Sequence, residues 1–232
     1  MIKVDEISLP IIFTEHDIKK SVANKLKIKE QDIESFEILK QSIDARRKPN
    51  IKYICSVGVN LKDNKEKLFE SLKYKKFDKT LQYNKKKTDK KFAVIGFGPS
   101  GMFAALSLAR MGVKPVVIEQ GKMVDERTKD VENLWNNRVL DEFSNVQFGE
   151  GGAGTFSDGK LNTNLNNDFC KIVLNELVAH GAPKQISYQN KPHIGSDKLK
   201  QVVKNIREEI LSLGGEFLFS TKLVDIIKTT IK

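Results

Sequence analysis

The chain has 232 residues, 39% of them hydrophobic, and 40 Lys and Arg against 30 Asp and Glu, which gives a formal net charge of +10. This composition excludes a disordered chain, a collagen and a disulfide scaffold, and the length allows one or two domains, each with its own core. The two widely separated cysteines, the lack of an apolar run of about 18 residues and an acidic N-terminus predict a cytoplasmic protein without a metal site, a membrane span or a signal peptide.

Residues 1–73 predict a small α+β domain with the element order β-α-β-β-α. KVDEISLPI reads as a strand, and Thr14 is a good N-cap for a helix whose apolar positions Ile18, Val22 and Leu26 recur every four residues. SFEILKQSID and IKYICSVGV predict two strands, and DNKEKLFESL predicts a short closing helix. Cys55, in the alternating apolar pattern of the third strand, is expected to be a small core residue.

The turn between these two strands carries a charged cluster at ARRKPN, where Pro49 and Asn50 supply the turn chemistry. Its charged residues either grip an acidic partner or simply solvate the turn; they are Asp44, Arg46, Arg47 and Lys48.

Residues 74–91 predict a basic linker. Before Phe92 the chain holds 23 Lys and Arg and 14 Asp and Glu, whereas from Phe92 onward it holds 17 and 16. A stretch this rich in lysine has too little apolar area to fold alone. It is either a tether for polyanions, with Tyr74, Phe77 and Tyr83 available for stacking, or a solvated connection between domains.

Residues 92–232 alternate strand and helix, which predicts an α/β fold. The expected strands are KFAVIGF, KPVVIE, GGEFLFS and KLVDIIKTTI, and the first of them should be buried on both faces. The expected helices are MFAALSLARMG, 124–139, DFCKIVLNELVAH and SDKLKQVVKNIREEILSL.

The motif GFGPSG, residues 96–101, is the G-x-G-x-x-G pattern in the context that a dinucleotide site requires. Gly96 allows the tight turn, Gly98 lets the backbone approach a pyrophosphate, and Gly101 lets helix and strand pack closely. Glu119 follows Gly101 by 18 residues at the end of the next strand. Its carboxylate would accept hydrogen bonds from both ribose hydroxyls, and its negative charge would repel a 2′-phosphate, which favours FAD or NAD over NADP.

A second glycine-rich segment, NVQFGEGGAGTFSDGKLNT at 145–163, follows. Its five glycines predict close backbone approach to a flat ligand, with N–H groups directed at the electron-rich edge. Lys160 is either a positive charge near a reduced, anionic ring or an exposed loop lysine.

With these segments the chain resembles the FAD-dependent (NAD(FAD)-utilizing) dehydrogenases among the glutathione-reductase-type flavoproteins. The resemblance rests on AVIGFGPSGMFAALSLARMG, FGEGGAGTFSDGKL, KPHIGSDKL, GGEFLFSTKLVDI and the SIDARRK hairpin. It implies an incomplete Rossmann-like FAD-binding domain, with NAD(P)H as a possible electron donor. The residues that it assigns to the cofactor are Gly96, Gly98, Pro99, Ser100, Gly101, Glu119, Gln120, Arg127, Gly151, Gly152, Gly154, Thr155, Ser157, Lys160 and Leu223.

In this assignment the first glycines hold the pyrophosphate, and Glu119 holds the adenosine ribose. Arg127 would lie near ribose or phosphate, and the backbone of Leu223 near adenine, while the 149–157 loop lies beside the flavin. The resemblance names no catalytic acid or base. His193 either orients its loop or takes part in catalysis.

Members of that family are considerably longer, and a late segment of their chains completes the flavin site. Since 141 residues follow Lys91 here, the expectation is a fragment, one piece of a split reading frame, or a chain completed by another. Such a chain should bind FAD weakly or not at all. The alternative from another class is a nucleic-acid-associated flavoprotein of the tRNA-modification type, which would use the basic leading domain and linker.

Overall fold

The computed structural model describes residues 1–75, 81–157, 159–161, 163 and 167–228. The chain divides into two compact units. The first consists of Met1–Lys79, Asn162–Lys171 and Lys184–Pro192, and the second of Thr80–Leu161, Ile172–Pro183 and His193–Lys232. The first unit therefore includes two segments from the part of the sequence that was assigned to the dinucleotide domain.

The first unit is built on an antiparallel sheet with the strand order β1-β3-β2, packed against one helix. Its elements are β1 (Ile2–Pro10), α1 (Glu15–Leu26), β2 (Ile33–Asp44) and β3 (Lys52–Leu61). Thr14 caps α1 as predicted, since its Oγ1 accepts from the N–H of Asp17 at 3.3 Å. Ile18, Val22 and Leu26 are buried against the sheet together with Cys55. Burial raises the pKa of the Cys55 thiol to about 11.

The predicted helix at the end of this unit is wrong. Residues Lys62–Leu72 form 3-10 turns interrupted by left-handed backbone at Asp63 and Asn64, with φ of 54° and 55°. Asp and Asn tolerate this conformation better than other non-glycine residues do. The carboxylate of Glu66 accepts from the N–H of Leu61 at 2.8 Å and so holds the turn where a helix would otherwise begin.

The second unit contains a parallel sheet with the order β4-β5-β6. The strands are β4 (Phe92–Ile95), β5 (Pro115–Ile118) and β6 (Glu216–Leu218), and the helices are α2 (Pro99–Arg110), α3 (Val124–Asn137) and α5 (Ser196–Ser212). A fourth helix, α4 (Asp168–Ala179), belongs to this unit from Ile172 onward. Val94 pairs in register with Val117, and both are buried. This mixed α/β architecture with a parallel sheet agrees with the predicted α/β class.

Two expectations for these strands are wrong. Ile95 is 52% exposed, so β4 is buried on one face only; α2 packs on that face. Residues 222–228 of the predicted last strand form no strand, and 229–231 lie outside the described residues. The N–H groups of Ser220 and Thr221 donate to the carbonyls of Gly121 and Glu119 at 3.0 Å each, so the chain crosses the end of β5 instead of running along β6.

Charged side chains join three helices of the second unit. Arg110 on α2 donates to Glu176 on α4 at 2.7 Å and to Glu209 on α5 at 2.6 Å. Nε2 of His180 lies 2.8 Å from Glu209. The guanidinium of Arg110 also lies over the ring of Tyr83, so in the 74–91 linker this ring already has a partner.

The linker contacts the second unit at one further point, since the N–H of Lys86 donates to the carbonyl of Met111 at 2.8 Å. Phe77 lies outside the described residues. Residues 83–86 are thus held by contacts rather than extended as a free tether.

Candidate functional site

A cavity of about 310 Å³ lies in the second unit, at the carboxyl ends of the three parallel strands. Segments that directly follow β4, β5 and β6 line it, together with the glycine-rich segment. Six residues predicted from the sequence meet here: Gly96, Gly98, Glu119, Gln120, Gly152 and Leu223. Open α/β sheets bind their ligands in this position, outside the carboxyl ends of the strands.

The turn between β4 and α2 forms one wall of the cavity. Gly98 is the N-cap of α2, and Pro99 stands in the first turn, where its missing N–H costs no intrahelical bond. The N–H groups of Ser100 and Gly101 belong to the first turn, whose donors have no carbonyl one turn back. They and the helix dipole provide a favourable place for an anion.

Gly101 is required for this turn to close. A Cβ at Gly101 would overlap the carbonyl oxygen of Gly96 and lie 3.0 Å from its carbon. The close approach of helix to strand that the fingerprint predicts is therefore present.

Glu119 sits at the floor of the cavity, almost fully buried. Its carboxylate accepts from the N–H groups of Phe97 at 2.7 Å, Gly121 at 2.9 Å and Gly149 at 3.1 Å. It thus holds the ends of β4 and β5 against the glycine loop. Since an ionised carboxylate offers about four lone-pair sites, three backbone donors leave room for one further hydroxyl.

Arg127 supports the glycine loop from within the protein. The side chain is fully buried and donates to five backbone carbonyls of the loop, at 2.7 to 3.2 Å. The acceptors are Asn145, Val146, Gly149, Glu150 and Gly152. Burial lowers the pKa of Arg127 to about 10, while the charges of Glu119 and Glu150 act in the opposite direction. Contact with ribose or phosphate stays a prediction, and the contacts present in the structure shape the loop.

A buried ion pair behind the loop was missed by the sequence reasoning. Glu150 is fully buried and accepts from the N–H of Val124 at 2.6 Å and from Arg207 at 2.9 Å. Its other oxygen has no hydrogen-bond partner within the described residues. One signal was available: Arg207 occupies a position on the buried stripe of α5, four residues after Val203, and a charge on such a stripe requires a partner.

Substitution of Arg207 by leucine should give a pH-dependent loss of stability. Burial raises the pKa of Glu150, and the Arg207 charge lowers it, so the variant has a still higher folded pKa. The folded variant then binds a proton more readily than the unfolded chain, and its stability is lost as the pH rises from about 4.3 through that raised value. Urea unfolding should show a small deficit near pH 4 that grows to about 3 kcal/mol at pH 8.

The matched control is Lys198→Leu, since Lys198 is exposed on the same helix. A deficit in Arg207→Leu that did not change with pH would mean that Glu150 is not the group left unpaired.

The remaining residues predicted in the second glycine segment do not line the cavity. Gly151 donates its N–H to the carbonyl of Phe97 at 2.8 Å, which ties the loop to the end of β4. Thr155 is fully buried, and its hydroxyl has no partner in the described part of the chain. Ser157 closes a turn by donating to the carbonyl of Gly154 at 2.9 Å. Lys160 forms a backbone bridge with His193, which brings these two predicted residues together.

Comparison with known proteins adds two findings. Residues 1–60 match the model of a family described as a domain of unknown function, DUF8436. The chain is 46% identical over 230 residues to an uncharacterized protein of Clostridium beijerinckii, and the match covers 96% of this chain. It covers 43% of that relative, so the chain spans less than half of the relative's length.

No helix among the described residues has the length and apolarity to cross a bilayer. No group of three or more His, Cys, Asp or Glu side chains among them could hold a metal ion.

Proposed function

We propose that the second unit is a Rossmann-like cofactor-binding part of an FAD-dependent oxidoreductase of the dehydrogenase type. The observation that carries the proposal is the cavity at the strand ends, where the glycines of the G-x-G-x-x-G turn, Glu119 and the second glycine segment meet. Each wall has a counterpart in a dinucleotide: helix N–H groups for the pyrophosphate and a carboxylate for the ribose.

In this proposal, the N–H groups of Ser100 and Gly101 bind the pyrophosphate. Glu119 accepts from the adenosine ribose, and the backbone near Leu223 borders adenine. When bound, FAD supplies hydride chemistry at its isoalloxazine ring, with a substrate or NAD(P)H as the donor. The chain contributes binding and orientation, and Arg127 holds the loop that meets the ligand.

The size of the cavity fits part of the cofactor. About 310 Å³ lies at the low end of the roughly 300–1,000 Å³ range of small-molecule sites. FAD contains two ring systems and a pyrophosphate, so the cavity fits the adenosine half. The flavin half would then rest on the open side of the glycine loop, and we expect weak binding of FAD by this chain.

Titration with ADP and FAD tests the proposal. Calorimetry on the 232-residue chain should give affinities for the two ligands within about threefold, because the adenosine and pyrophosphate groups make most contacts. Glu119→Gln should weaken ADP at least tenfold, because the ribose loses a charged acceptor and the amide NH2 faces backbone N–H groups that the carboxylate had accepted.

The matched control is Glu126→Gln, which removes an exposed carboxylate on α3 and should leave ADP binding unchanged. Absence of ADP binding, or equal binding by both variants, would exclude the proposed site. Stoichiometric yellow flavin retained through gel filtration would contradict weak binding while supporting the cofactor.

The alternative is a nucleic-acid-associated flavoprotein that uses the basic leading domain and linker. One observation favours it: a cavity in the first unit is lined by polar side chains and a lysine.

A further inference from the structure

The outer edge of β2 in the first unit is paired by a segment from far along the sequence. The N–H of Gln41 donates to the carbonyl of Tyr188 at 2.8 Å, and the carbonyl of Gln41 accepts from the N–H of Asn190 at 2.9 Å. Gln41 and Gln189 form an isolated parallel bridge at this point. The backbone N–H and the carbonyl of Gln41 are therefore both hydrogen-bonded to this added segment.

A cavity of about 350 Å³ opens beside this pairing, entirely within the first unit. Its polar lining residues come from β2, β3 and the added segment: Gln41, Ser42, Tyr53, Gln189, Asn190 and Lys191. Three of the six carry carboxamides, and each carboxamide offers both donors and an acceptor.

Gln41 lines the cavity and is only 7% exposed, and no side-chain hydrogen bond is present for it in the described part of the chain. Its amide atoms are not among the fully enclosed polar atoms that lack a partner, so they stay open to solvent. The amide is therefore available to a ligand in the cavity, where it can both donate and accept.

Positive charge lies in the same wall and directly beyond it. Lys191 lines the cavity with the amides. Ile43 pairs with Tyr53, and the next pair of the hairpin, Asp44 with Lys52, borders a second hollow of about 670 Å³ lined also by Arg46 and Arg47. One residue step along a strand is about 3.3 Å, so a ligand of modest length can reach from the first hollow to the second.

The cationic side chains that line this second hollow differ in whether an acidic partner already binds them. Arg46 binds both oxygens of Asp44, at 2.8 and 2.9 Å. Arg47 and Lys52 are exposed, and no ion pair is present for either in the described part of the chain. They are available to an anion.

We propose that the first unit binds a nucleotide, with its base in the amide-lined cavity against Tyr53 and its phosphate toward Lys191 and the hairpin tip. Glutamine and asparagine read the hydrogen-bonding edges of unpaired bases, and aromatic side chains stack on their faces. A simple anion would use the cations and leave the amides unused. The same chemistry is offered by a free nucleotide and by single-stranded RNA.

Equilibrium dialysis of the 232-residue chain with uridine 5′-monophosphate and hexauridylate at low salt tests this assignment. Uridine is chosen because an adenine nucleotide would also be expected in the second unit, and saturating ADP should not displace it. Gln41→Leu should weaken binding of the monophosphate about tenfold, the equivalent of one lost hydrogen bond. Lys191→Ala should weaken it roughly fivefold and reduce the salt dependence.

The control Lys20→Ala removes an exposed lysine of the same unit and should change binding less than about twofold. Tighter binding of hexauridylate than of the monophosphate would assign the site to RNA, and equal binding would assign it to free nucleotides. No binding of either probe, or binding that Gln41→Leu leaves unchanged, would overturn the proposal.

Thermal unfolding separates a binding role for Gln41 from a structural one. Leucine has a similar size, and no side-chain hydrogen bond within the described residues is lost when it replaces Gln41. The Gln41→Leu variant should therefore unfold at the same temperature as the wild type or at a higher one. A marked fall in the unfolding temperature would instead mean that the glutamine supports the fold, and would overturn the assignment.

Discussion

Arg127→Met is expected to lower the free energy of unfolding of the second unit by about 3–5 kcal/mol. The guanidinium is fully buried and satisfies five loop carbonyls. Methionine fills much of the volume and donates nothing, so these carbonyls lose a shared donor in a place that excludes water. Denaturant unfolding followed by the fluorescence of Trp135 measures this loss, since Trp135 is the only tryptophan and contacts Phe156 of the glycine segment.

Lys129→Met on the same helix is the control, because Lys129 is exposed and should cost less than about 0.5 kcal/mol. Binding of ADP by Arg127→Met should fall together with stability, since the same loop lines the cavity. A loss of stability below about 1 kcal/mol would show that the loop keeps its shape without the arginine.

Gly101→Ala is expected to lower the free energy of unfolding by about 3 kcal/mol. Its methyl group would overlap the carbonyl oxygen of Gly96, and backbone on both sides must move because neither atom belongs to a flexible side chain. The N–H groups at the start of α2 would turn away from the cavity, so ADP binding should become undetectable. Unfolding and calorimetry on the same preparation measure both effects.

Gly154→Ala is the matched control for this substitution. A Cβ at Gly154 would meet no atom within 4 Å, and alanine in place of glycine reduces the entropy of the unfolded chain. Stability should be unchanged or rise by up to about 1 kcal/mol. A variant at Gly101 as stable as this control would contradict the close approach of helix to strand.

The sequence predicted those features that depend on local pattern. The cap at Thr14, the buried stripe of α1, the hairpin of β2 and β3 and the glycine turn before α2 follow from spacing and residue type. The meeting of Glu119 with the first glycine turn was also predictable, because a dinucleotide fingerprint places these parts at one end of a sheet. The hydrogen bond from Gly149 of the second segment to Glu119 was not predicted.

Features that depend on distant contacts could not be predicted. Arg127 supports the loop because five loop carbonyls point at its guanidinium, and no pattern of residues in the sequence indicates the direction of those carbonyls. The same holds for the pairing of Gln41 with residues 188–190. The left-handed turn at Asp63 and Asn64 competes with a helical pattern, and local hydrogen bonding decided the outcome.

The pairing of Gln41 with Tyr188 and Asn190 also orders events during synthesis. Residues 1–75 leave the ribosome first, yet their sheet keeps an unpaired edge at β2 until residue 190 is available. Closing a loop of roughly 150 residues has an entropic cost on the order of 4 kcal/mol for a flexible chain. Because Lys184–Pro192 begins and ends at segments of the second unit, prior folding of that unit shortens the effective loop. Although β2 is translated early, its outer edge at Gln41 therefore stays unpaired until residues 188–190 have been made.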